Sequence, residues 1–521
     1  MDRLYKEAVL NAGSHSAVLS SPADVFAVCA KVAKATGCYL TYSTKTKKNI
    51  VPSAQCKADG EAWLTSLQSA NHMQLGADFL GSVPSRVIDS WDMVSEWIRF
   101  AAQTPLNAER KPVPQKVISS VLYLIAASDE ACGGIGLPDG GDTGFFGLVS
   151  NWRLIRRGTL CRFLDSNVVR VLPKQHTPKF GLNIRNLTHH LAFVENSEVG
   201  VRWNINPILD KKRASFNILL VPWPFEVLPS DIRASVRESG TSNMGYFDYV
   251  PNADVDVIAS VSSLIERAQS MGQRVDLVVL PECSINESQW KALSKVLLLK
   301  KVSLLAGVAG RGAQGVATNS VKLKVPGNPG DLLSQNKHHR WKIEKNQIQS
   351  YGLGGTLSCQ SEWWENIEIK PREVNFFAFT DDLVVCPLIC EDLARQDPVA
   401  DVVRSVGPNM VIALLMDGPQ LSNRWSARYA SVLADDPGSS VLTLSSLGMV
   451  NISRPPRGAD RRQVIASWRE AQGGFVEIDL PPGTHGALLN VQFVRETEQT
   501  VDGRGDSGVA SCPTLTGIHY V

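Results

Sequence analysis

The 521-residue chain has few of the features that mark exported, membrane or metal-binding proteins. Its ten cysteines form no CxxC pair, and the closest two, Cys386 and Cys390, have no second pair to complete a zinc site. We therefore expect reduced thiols and no metal. The first residues contain no apolar segment of signal-peptide length, and no apolar run reaches the ~18 residues of a membrane span. These features predict a cytoplasmic protein without a membrane partner.

A strong charge of either sign is also lacking. Lys and Arg number 53 against 51 Asp and Glu, which gives a net charge of +2. This balance excludes a surface wholly devoted to nucleic acid, and no direct nucleic-acid binding is predicted. The glycine-rich stretch 131–147 contains neither GxGxxG nor a phosphate loop with its lysine. No cofactor is therefore expected.

The apolar pattern divides the chain into two parts. Up to about residue 130, apolar residues recur at helical spacing, as in 85–101. From residue 214, apolar runs of strand length alternate with helical patterns. Continuous Val, Leu and Ile runs are typical of strands that are buried on both faces. A length above ~250–300 residues favours two domains, so we predict a mainly helical accessory or docking region over 1–205 and an α/β domain over 206–521.

Reactive side chains follow two strands of the second part. VDLVVLPE ends at Glu282, while DLVVCPLIC ends at Cys390 and continues directly into EDLARQ. A cysteine between a buried strand and a helix is placed to act as a nucleophile, because the free N–H groups of the helix start favour the thiolate. The backbone N–H of Glu391 would then face a developing oxyanion. For a lone cysteine, packing in the core would be the simpler interpretation.

Taken in order, VVLPE, a later segment rich in lysine and LICEDLAR resemble the Glu–Lys–Cys signature of the nitrilase, or carbon–nitrogen hydrolase, superfamily. The Cys-Glu-Asp form is similar to the glutaminase branch, and the resemblance covers about residues 214–495. It implies a four-layer α-β-β-α sandwich, commonly paired into homodimers. It also implies Cys390 as nucleophile, Glu282 as general base and a lysine that stabilises thiolate and oxyanion. The implied reaction is hydrolysis of a small amide or nitrile through an acyl-enzyme.

Two lysines compete for that role. Lys337 in KHHRW has a histidine at +2, as many family members have, whereas Lys345 in KNQIQSYGL matches a form with an aromatic-glycine pair at +6 and +7. If 337–345 forms one unbroken strand, both lysines lie on one side, about 26 Å apart at roughly 3.3 Å per residue. Lys342 then lies on the other side. We favour Lys337 and keep Lys345 as the alternative.

The resemblance also implies a second glutamate and residues of the substrate wall. Family members often carry a second glutamate that orders the lysine, for which the sequence offers Glu344, Glu362 and Glu365. The segment MDGPQLSNRW follows a buried strand and should form part of the substrate wall. It supplies three candidates for substrate binding: Asp417, Gln420 and Arg424.

A looser resemblance points to a biological setting. The series from HHRW to VLADDPGSSVLTL is similar to nitrilase-like regions attached to reverse transcriptases in bacterial antiphage defence. It implies a reverse transcriptase protein as partner, although the transcriptase's own residues are not in this sequence. Two hypotheses follow: an active thiol hydrolase, or a catalytically silent scaffold that binds such a partner. Because glutamate, lysine and cysteine are all present, we favour the hydrolase.

Overall fold

The computed structural model describes most of the chain. The described residues are 1–43, 50–69, 77–103, 112–140, 143–195, 198–206, 214–237, 243–250, 256–312, 315–328, 330–453, 462–506 and 508–521. Residues 207–213, just after the predicted boundary at residue 205, lie outside them. Within them, no helix combines the length and the apolar character that crossing a bilayer requires.

The N-terminal region is helical, as predicted. The sequence that begins at Ser21 forms a helix with proline in its first turn, and the helix ends at Gly37. Gly37 has a φ of 66°, a left-handed conformation that glycine adopts without strain. The helices of this region are α1 (Asp2–Ala12), α2 (Pro22–Thr36), α3 (Ser53–Ser69), α4 (Ala77–Ser82), α5 (Ser85–Gln103), α6 (Gln115–Glu130) and α7 (Gly144–Arg157).

Three short strands connect these helices to the second part of the chain. β1 (Arg170–Pro173) and β2 (Leu191–Val194) pair with each other in antiparallel fashion. β3 (Gly200–Ile205) instead joins the edge of a large sheet of the second part. The buried apolar side chains of the helices and of this sheet form one continuous cluster. The boundary after residue 205 therefore directly follows a strand of that sheet, and separate folding of 1–205 stays a prediction.

Two large sheets face each other in the second part, and the three central strands of the second sheet are buried along their whole length. The first sheet has, from edge to edge, β10 (Leu333–Asn336), β9 (Ala317–Lys324), β8 (Ser303–Arg311), β7 (Leu277–Asn286), β4 (Ser215–Leu220), β19 (Ala487–Glu496) and β20 (Ala510–Tyr520). The second has β18 (Phe475–Asp479), β17 (Val464–Arg469), β16 (Ser440–Ser445), β15 (Met410–Leu415), β14 (Leu383–Ile389), β13 (Glu373–Thr380) and β3.

Helices cover the outer faces of both sheets. α8 (Val257–Ser270) and α9 (Glu287–Leu299) pack on the first sheet through a separate apolar cluster. α12 (Trp425–Asp435) packs on the second sheet along β16 and β17. The order helices, sheet, sheet, helix is the predicted α-β-β-α sandwich. The remaining helices are α10 (Lys345–Ser350), α11 (Asp401–Val406) and α13 (Leu447–Ile452).

A smaller sheet covers one end of the sandwich. It consists of β11 (Lys342–Ile343), β12 (Glu362–Glu365), β6 (Met244–Tyr249) and β5 (Ile232–Ala234), in that order. One apolar cluster joins Phe247 of β6 to Cys283 of β7 and to Met416, which follows β15. The small sheet therefore lies over the carboxyl ends of β7 and β15. In sheets that contain parallel strands, these ends are where ligands bind.

Candidate active site

Glu282 lies where β7 leaves its regular pairing with β8, and it is buried. The next residue, Cys283, has a φ of 48°, which a residue with a side chain rarely adopts. β8 passes very close at this point, since a Cβ on Gly307 would lie 2.4 Å from the carbonyl oxygen of Pro281 and 2.5 Å from the Glu282 Cα. Only glycine permits this approach, which holds the irregular segment against the sheet.

Lys337 directly follows β10, and its side chain is fully buried. Its Nζ lies 2.8 Å from Glu282 Oε1 and 2.7 Å from Glu365 Oε2. A buried ammonium needs such partners, because an unpaired one would lose its hydration without compensation. Burial acts to lower the pKa of Lys337, but the two carboxylates outweigh it and raise that pKa well above its usual value. The side chain is therefore a cation at neutral pH.

The assumption of one unbroken strand over 337–345 is wrong. β10 ends at Asn336, β11 covers only Lys342–Ile343, and Lys345 is already the first residue of α10. Lys345 is exposed there, and Lys342 pairs with Glu362 at 2.8 Å. The argument from strand register therefore fails, and it is the pair of buried contacts that singles out Lys337.

Among the three candidates for a second glutamate, Glu365 is the one that binds the lysine. It ends β12 and is 3% exposed, whereas Glu344 and Glu362 are exposed. Its Oε2 also accepts the backbone N–H of Trp341 at 3.0 Å. The sequence left this choice open, because 28 residues separate Lys337 from Glu365 along the chain.

Asn319 connects the two carboxylates, and the sequence analysis missed it. Its Nδ2 donates to Glu282 Oε1 at 2.7 Å and to Glu365 Oε1 at 3.0 Å. Its backbone oxygen accepts the N–H of Lys337 at 2.8 Å. The residue lies in β9 and is 1% exposed. The available signal was an amide inside the strand sequence ATNSVKLK, because a buried amide needs polar partners.

Cys390 stands at the predicted junction between a strand and a helix. It follows β14, has a φ of 45° and begins the 3-10 helix Cys390–Leu393. Burial, together with the charge of Glu282, raises the pKa of the thiol well above its usual value, and the charge of Lys337 opposes this rise. The expectation of a lowered thiol pKa is therefore wrong. A single 3-10 turn offers only a weak dipole, and the thiol is buried. Within this turn the N–H of Glu391 has no intrahelical acceptor.

A carboxylate ties the turn after the cysteine to the segment that carries the lysine. Asp392 accepts the backbone N–H groups of His338 and His339, each at 3.3 Å. The Nη2 of Arg372 lies 3.4 Å from the same side chain. Since His338 immediately follows Lys337, these bonds fix the position of the lysine relative to the nucleophile.

Asp417 and Arg424, two of the candidates for substrate binding, pair with each other in the segment after β15. Arg424 Nη2 donates to Asp417 Oδ1 at 2.5 Å, and Trp425 Nε1 donates to Asp417 Oδ2 at 2.9 Å. The charge of Asp417 contributes to the raised pKa of Cys390, after burial and the nearer charges. Within the described part of the chain, Arg424 Nε is buried without a hydrogen-bond partner.

Gln420 is fully buried, and its amide is used within its own loop. Its Nε2 donates to the Gly418 oxygen at 2.8 Å, and its Oε1 accepts from Ser426 Oγ at 2.8 Å. These bonds hold the start of α12 and leave the side chain little freedom to contact a substrate. Of the three candidates in this segment, Gln420 is the one that is fully buried.

The two carboxylates also form a group that could in principle hold a metal ion. Glu282, Cys283 and Glu365 each present one ligand atom, and these atoms lie within 4.8 Å of one another. Lys337 Nζ, however, already pairs with both carboxylates. A divalent ion at this place would meet the charge of that ammonium, which disfavours its binding.

A cavity of about 1020 Å³ lies beside the carboxylates. Cys283 and Glu365 line it at buried positions, and Arg233, Arg237 and Arg311 line it at exposed positions. Sites for small molecules usually occupy about 300–1,000 Å³. The cavity is thus large enough for a small molecule to reach the residues next to the buried carboxylates.

The raised pKa and the burial of the thiol lead to a testable expectation. At neutral pH and without substrate, we expect iodoacetamide to label Cys390 more slowly than Cys359, which is partly exposed. Peptide mass mapping after short reaction times measures both rates, and labelling in urea controls for intrinsic differences. Faster labelling of Cys390 in the folded protein would contradict a protonated, buried thiol.

Comparison with known proteins gives structural relatives only. No family model and no curated protein matches the chain. Similar solved structures include a glutamine-dependent NAD+ synthetase from Acinetobacter baumannii, with 16% identity over 54% of this chain and 46% of that chain and a TM-score of 0.34. Nit3 of Saccharomyces cerevisiae, described as a member of the nitrilase superfamily, shares 14% over 55% and 93%, with a TM-score of 0.35. An amidase from Nesterenkonia sp. shares 12% over 52% and 92%, with a TM-score of 0.29. The chain spans about half the length of the synthetase.

Proposed function

We propose that the chain is a thiol hydrolase of carbon–nitrogen bonds other than peptide bonds, with a small amide or nitrile as substrate. The observation that carries this proposal is the buried ion pair between Lys337 Nζ and Glu282 Oε1, at 2.8 Å, beside the Cys390 thiol. A fold gains nothing in stability from a buried charge cluster that a few apolar residues could replace. Groups arranged in this way are typical of catalytic sites.

The first half of the reaction uses the free oxygen of Glu282. Its Oε1 is held by Lys337, while its Oε2 is buried without a hydrogen-bond partner among the described residues. Burial raises the pKa of this carboxyl group, which improves it as a proton acceptor. Oε2 takes the thiol proton as Cys390 Sγ attacks the substrate carbon. The Lys337 ammonium and the Glu391 N–H stabilise the developing oxyanion.

The second half restores the enzyme. With an amide, the carbon–nitrogen bond breaks and the leaving amine receives the proton from Glu282, which leaves a thioester on Cys390. Glu282 then takes a proton from water, and the resulting hydroxide attacks the thioester. The carbon–sulfur bond breaks, the carboxylic acid leaves, and the proton returns to the sulfur. Each step uses groups that the buried cluster already holds.

Further aspects stay predictions from the resemblance alone. These are a homodimer, a cytoplasmic location and a role in antiphage defence beside a reverse transcriptase. Asp417 and Arg424 are proposed to contact the substrate, because the charge of Asp417 acts on Cys390, and Arg424, its partner, has an Nε without a hydrogen-bond partner among the described residues. The alternative is a catalytically silent scaffold, and a measurement of activity distinguishes the two.

Ammonia release tests the proposal. The protein is incubated with a panel of short amides, nitriles, carbamoyl amines and glutamine, beside Cys390→Ala and the matched control Cys359→Ala. We expect release by the wild type and by Cys359→Ala on at least one compound class, and none by Cys390→Ala. Equal release by the wild type and Cys390→Ala, or no release on any class, would favour the silent scaffold.

A further inference from the structure

Asn319 uses both hydrogens of its amide on two carboxylates that share one cation. Its Nδ2 lies 2.7 Å from Glu282 Oε1 and 3.0 Å from Glu365 Oε1. Lys337 Nζ binds the same two side chains, at Glu282 Oε1 and Glu365 Oε2. An amide nitrogen carries two donor hydrogens, so its capacity is filled. Like charges repel strongly in a buried site, and this donor binds both carboxylates without adding a charge.

The same residue also holds the lysine in place. Its backbone oxygen accepts the N–H of Lys337 at 2.8 Å, so the strand that carries the amide fixes the main chain of the cation. Asn319 therefore contacts all three charged residues of the site, two through its side chain and one through its backbone. Local stability of the strand alone does not require this arrangement.

Among the described residues, the oxygen of the Asn319 amide lacks the partner that a buried acceptor normally has. Asn319 Oδ1 is buried without a hydrogen-bond partner in the described part of the chain. The reverse orientation would point this oxygen at two carboxylates, so electrostatics selects the orientation in which the nitrogen faces them. A buried polar atom left unpaired destabilises a fold, and such atoms call for an explanation.

We propose that Asn319 is a positioning residue that fixes the rotation of the Glu282 carboxylate, so that Oε1 is held and Oε2 is left for the thiol proton. Two donors, Asn319 Nδ2 and Lys337 Nζ, converge on Oε1. Oε2 remains buried and without a partner among the described residues. The inference rests on the proposed function, since it assigns a role to an oxygen that matters only if Glu282 acts as a base.

Loss of the amide has a signed consequence for pH dependence. The hydrogen bond from Asn319 lowers the pKa of Glu282 against the dominant effect of burial, so removing it raises that pKa further. The base form of Glu282 then appears only at higher pH. The titratable groups that face Glu282 from the packed elements are Lys337 after β10, Glu365 on β12, Cys283 on β7, Tyr249 on β6 and Cys390 after β14.

The test compares Asn319→Ala with Ser320→Ala. Ser320 is the neighbouring buried residue, and its hydroxyl donates to the Val308 backbone oxygen. For Asn319→Ala we expect the pH profile of Cys390 alkylation by a small reagent to move to higher pH, because the carboxylate that takes the thiol proton, Glu282, is then deprotonated only at higher pH. On a substrate of the enzyme, kcat should fall about 10- to 100-fold with KM unchanged within about threefold. Ser320→Ala should match the wild type in both readouts.

If Asn319→Ala does not fold, Asn319→Ser gives the same comparison, because its hydroxyl is too short to bridge the carboxylates. An unshifted alkylation profile together with a wild-type kcat in the folded variant would overturn the proposal and leave Asn319 a structural residue. The alkylation profile needs no substrate. If the Asn319→Ala profile shifts while the wild-type protein turns over no substrate, the result contradicts the proposed function and still supports the positioning role.

Discussion

Lys337→Met is expected to remove turnover completely and to lower the free energy of unfolding by about 3–5 kcal/mol. The variant leaves Glu282 and Glu365 buried without the cation that they share. In the wild type, Lys337 Nζ lies 2.8 Å from Glu282 Oε1 and 2.7 Å from Glu365 Oε2. Removing one member of a buried ion pair costs far more than the pair contributes, because the remaining charge is not hydrated. Ammonia release and urea unfolding measure the two effects.

The stability loss should depend on pH with a definite sign. Burial already raises the pKa of Glu282 in the folded state, and the charge of Lys337 opposes this rise, so the pKa of Glu282 rises further without the ammonium. Above the usual pKa of a glutamate the folded state then binds more protons than the unfolded chain, so the variant loses stability as the pH rises towards the raised pKa of Glu282. Lys345→Met is the matched control, because Lys345 is exposed at the start of α10. Wild-type stability and turnover in Lys337→Met, or their loss in Lys345→Met, would refute the assignment of the lysine.

Glu282→Gln is expected to keep the fold and to lower turnover by roughly 10²–10⁴-fold. The substitution preserves shape, and the amide oxygen can still accept from Lys337 and Asn319 as Oε1 does. Lys337 keeps its pair with Glu365, so we expect little change in melting temperature. The amide cannot take a proton, so attack by the thiol and hydrolysis of the thioester both slow down.

Glu362→Gln provides the control for this variant. Glu362 lies in β12, as Glu365 does, but it is exposed and pairs with Lys342. Its substitution should leave turnover unchanged. A melting temperature well below that of the wild type with turnover retained in Glu282→Gln would make Glu282 a structural carboxylate and end its assignment as the base.

The strand ends of the site could be predicted from the sequence. The uninterrupted apolar runs before Glu282 and Cys390 indicate buried strands, and a buried strand of a sandwich ends at the edge where ligands bind. The order of elements follows from these runs, and the four-layer fold was implied by the resemblance of the ordered motifs to a known family. These features depend on local sequence, which is why they could be read before any contact was known.

The partners of the lysine could not be predicted in the same way. Glu365 is placed beside Lys337 by the small sheet of β11, β12, β6 and β5. The residues around Glu365 in the sequence do not indicate this pairing. Lys337 was preferred for its Lys-His-His pattern, and the strand register that set Lys342 aside does not exist, since β10 ends just before Lys337. Asn319 was missed, because its role depends on two residues that are distant in sequence.

The direction of the cysteine pKa was also wrong at the sequence level, for a physical reason. A helix start and a nearby lysine both favour a thiolate, and both are present in the structure. Burial of Cys390 outweighs them, and Glu282 adds a like charge. How deeply a residue is buried depends on how distant segments pack around it, which the local sequence does not reveal.

The mass of the intact protein after acid quenching tests the central claim most directly. Wild type, Cys390→Ala and Glu282→Gln are mixed with the amide that gives the most ammonia, and each is quenched over a series of times. We predict an adduct with the mass of the acyl group in the wild type, mapped to the peptide that contains Cys390. The adduct should form slowly and persist in Glu282→Gln and be absent in Cys390→Ala. An adduct on another residue, or ammonia release by the wild type with no adduct in either the wild type or Glu282→Gln, would contradict catalysis through a Cys390 thioester.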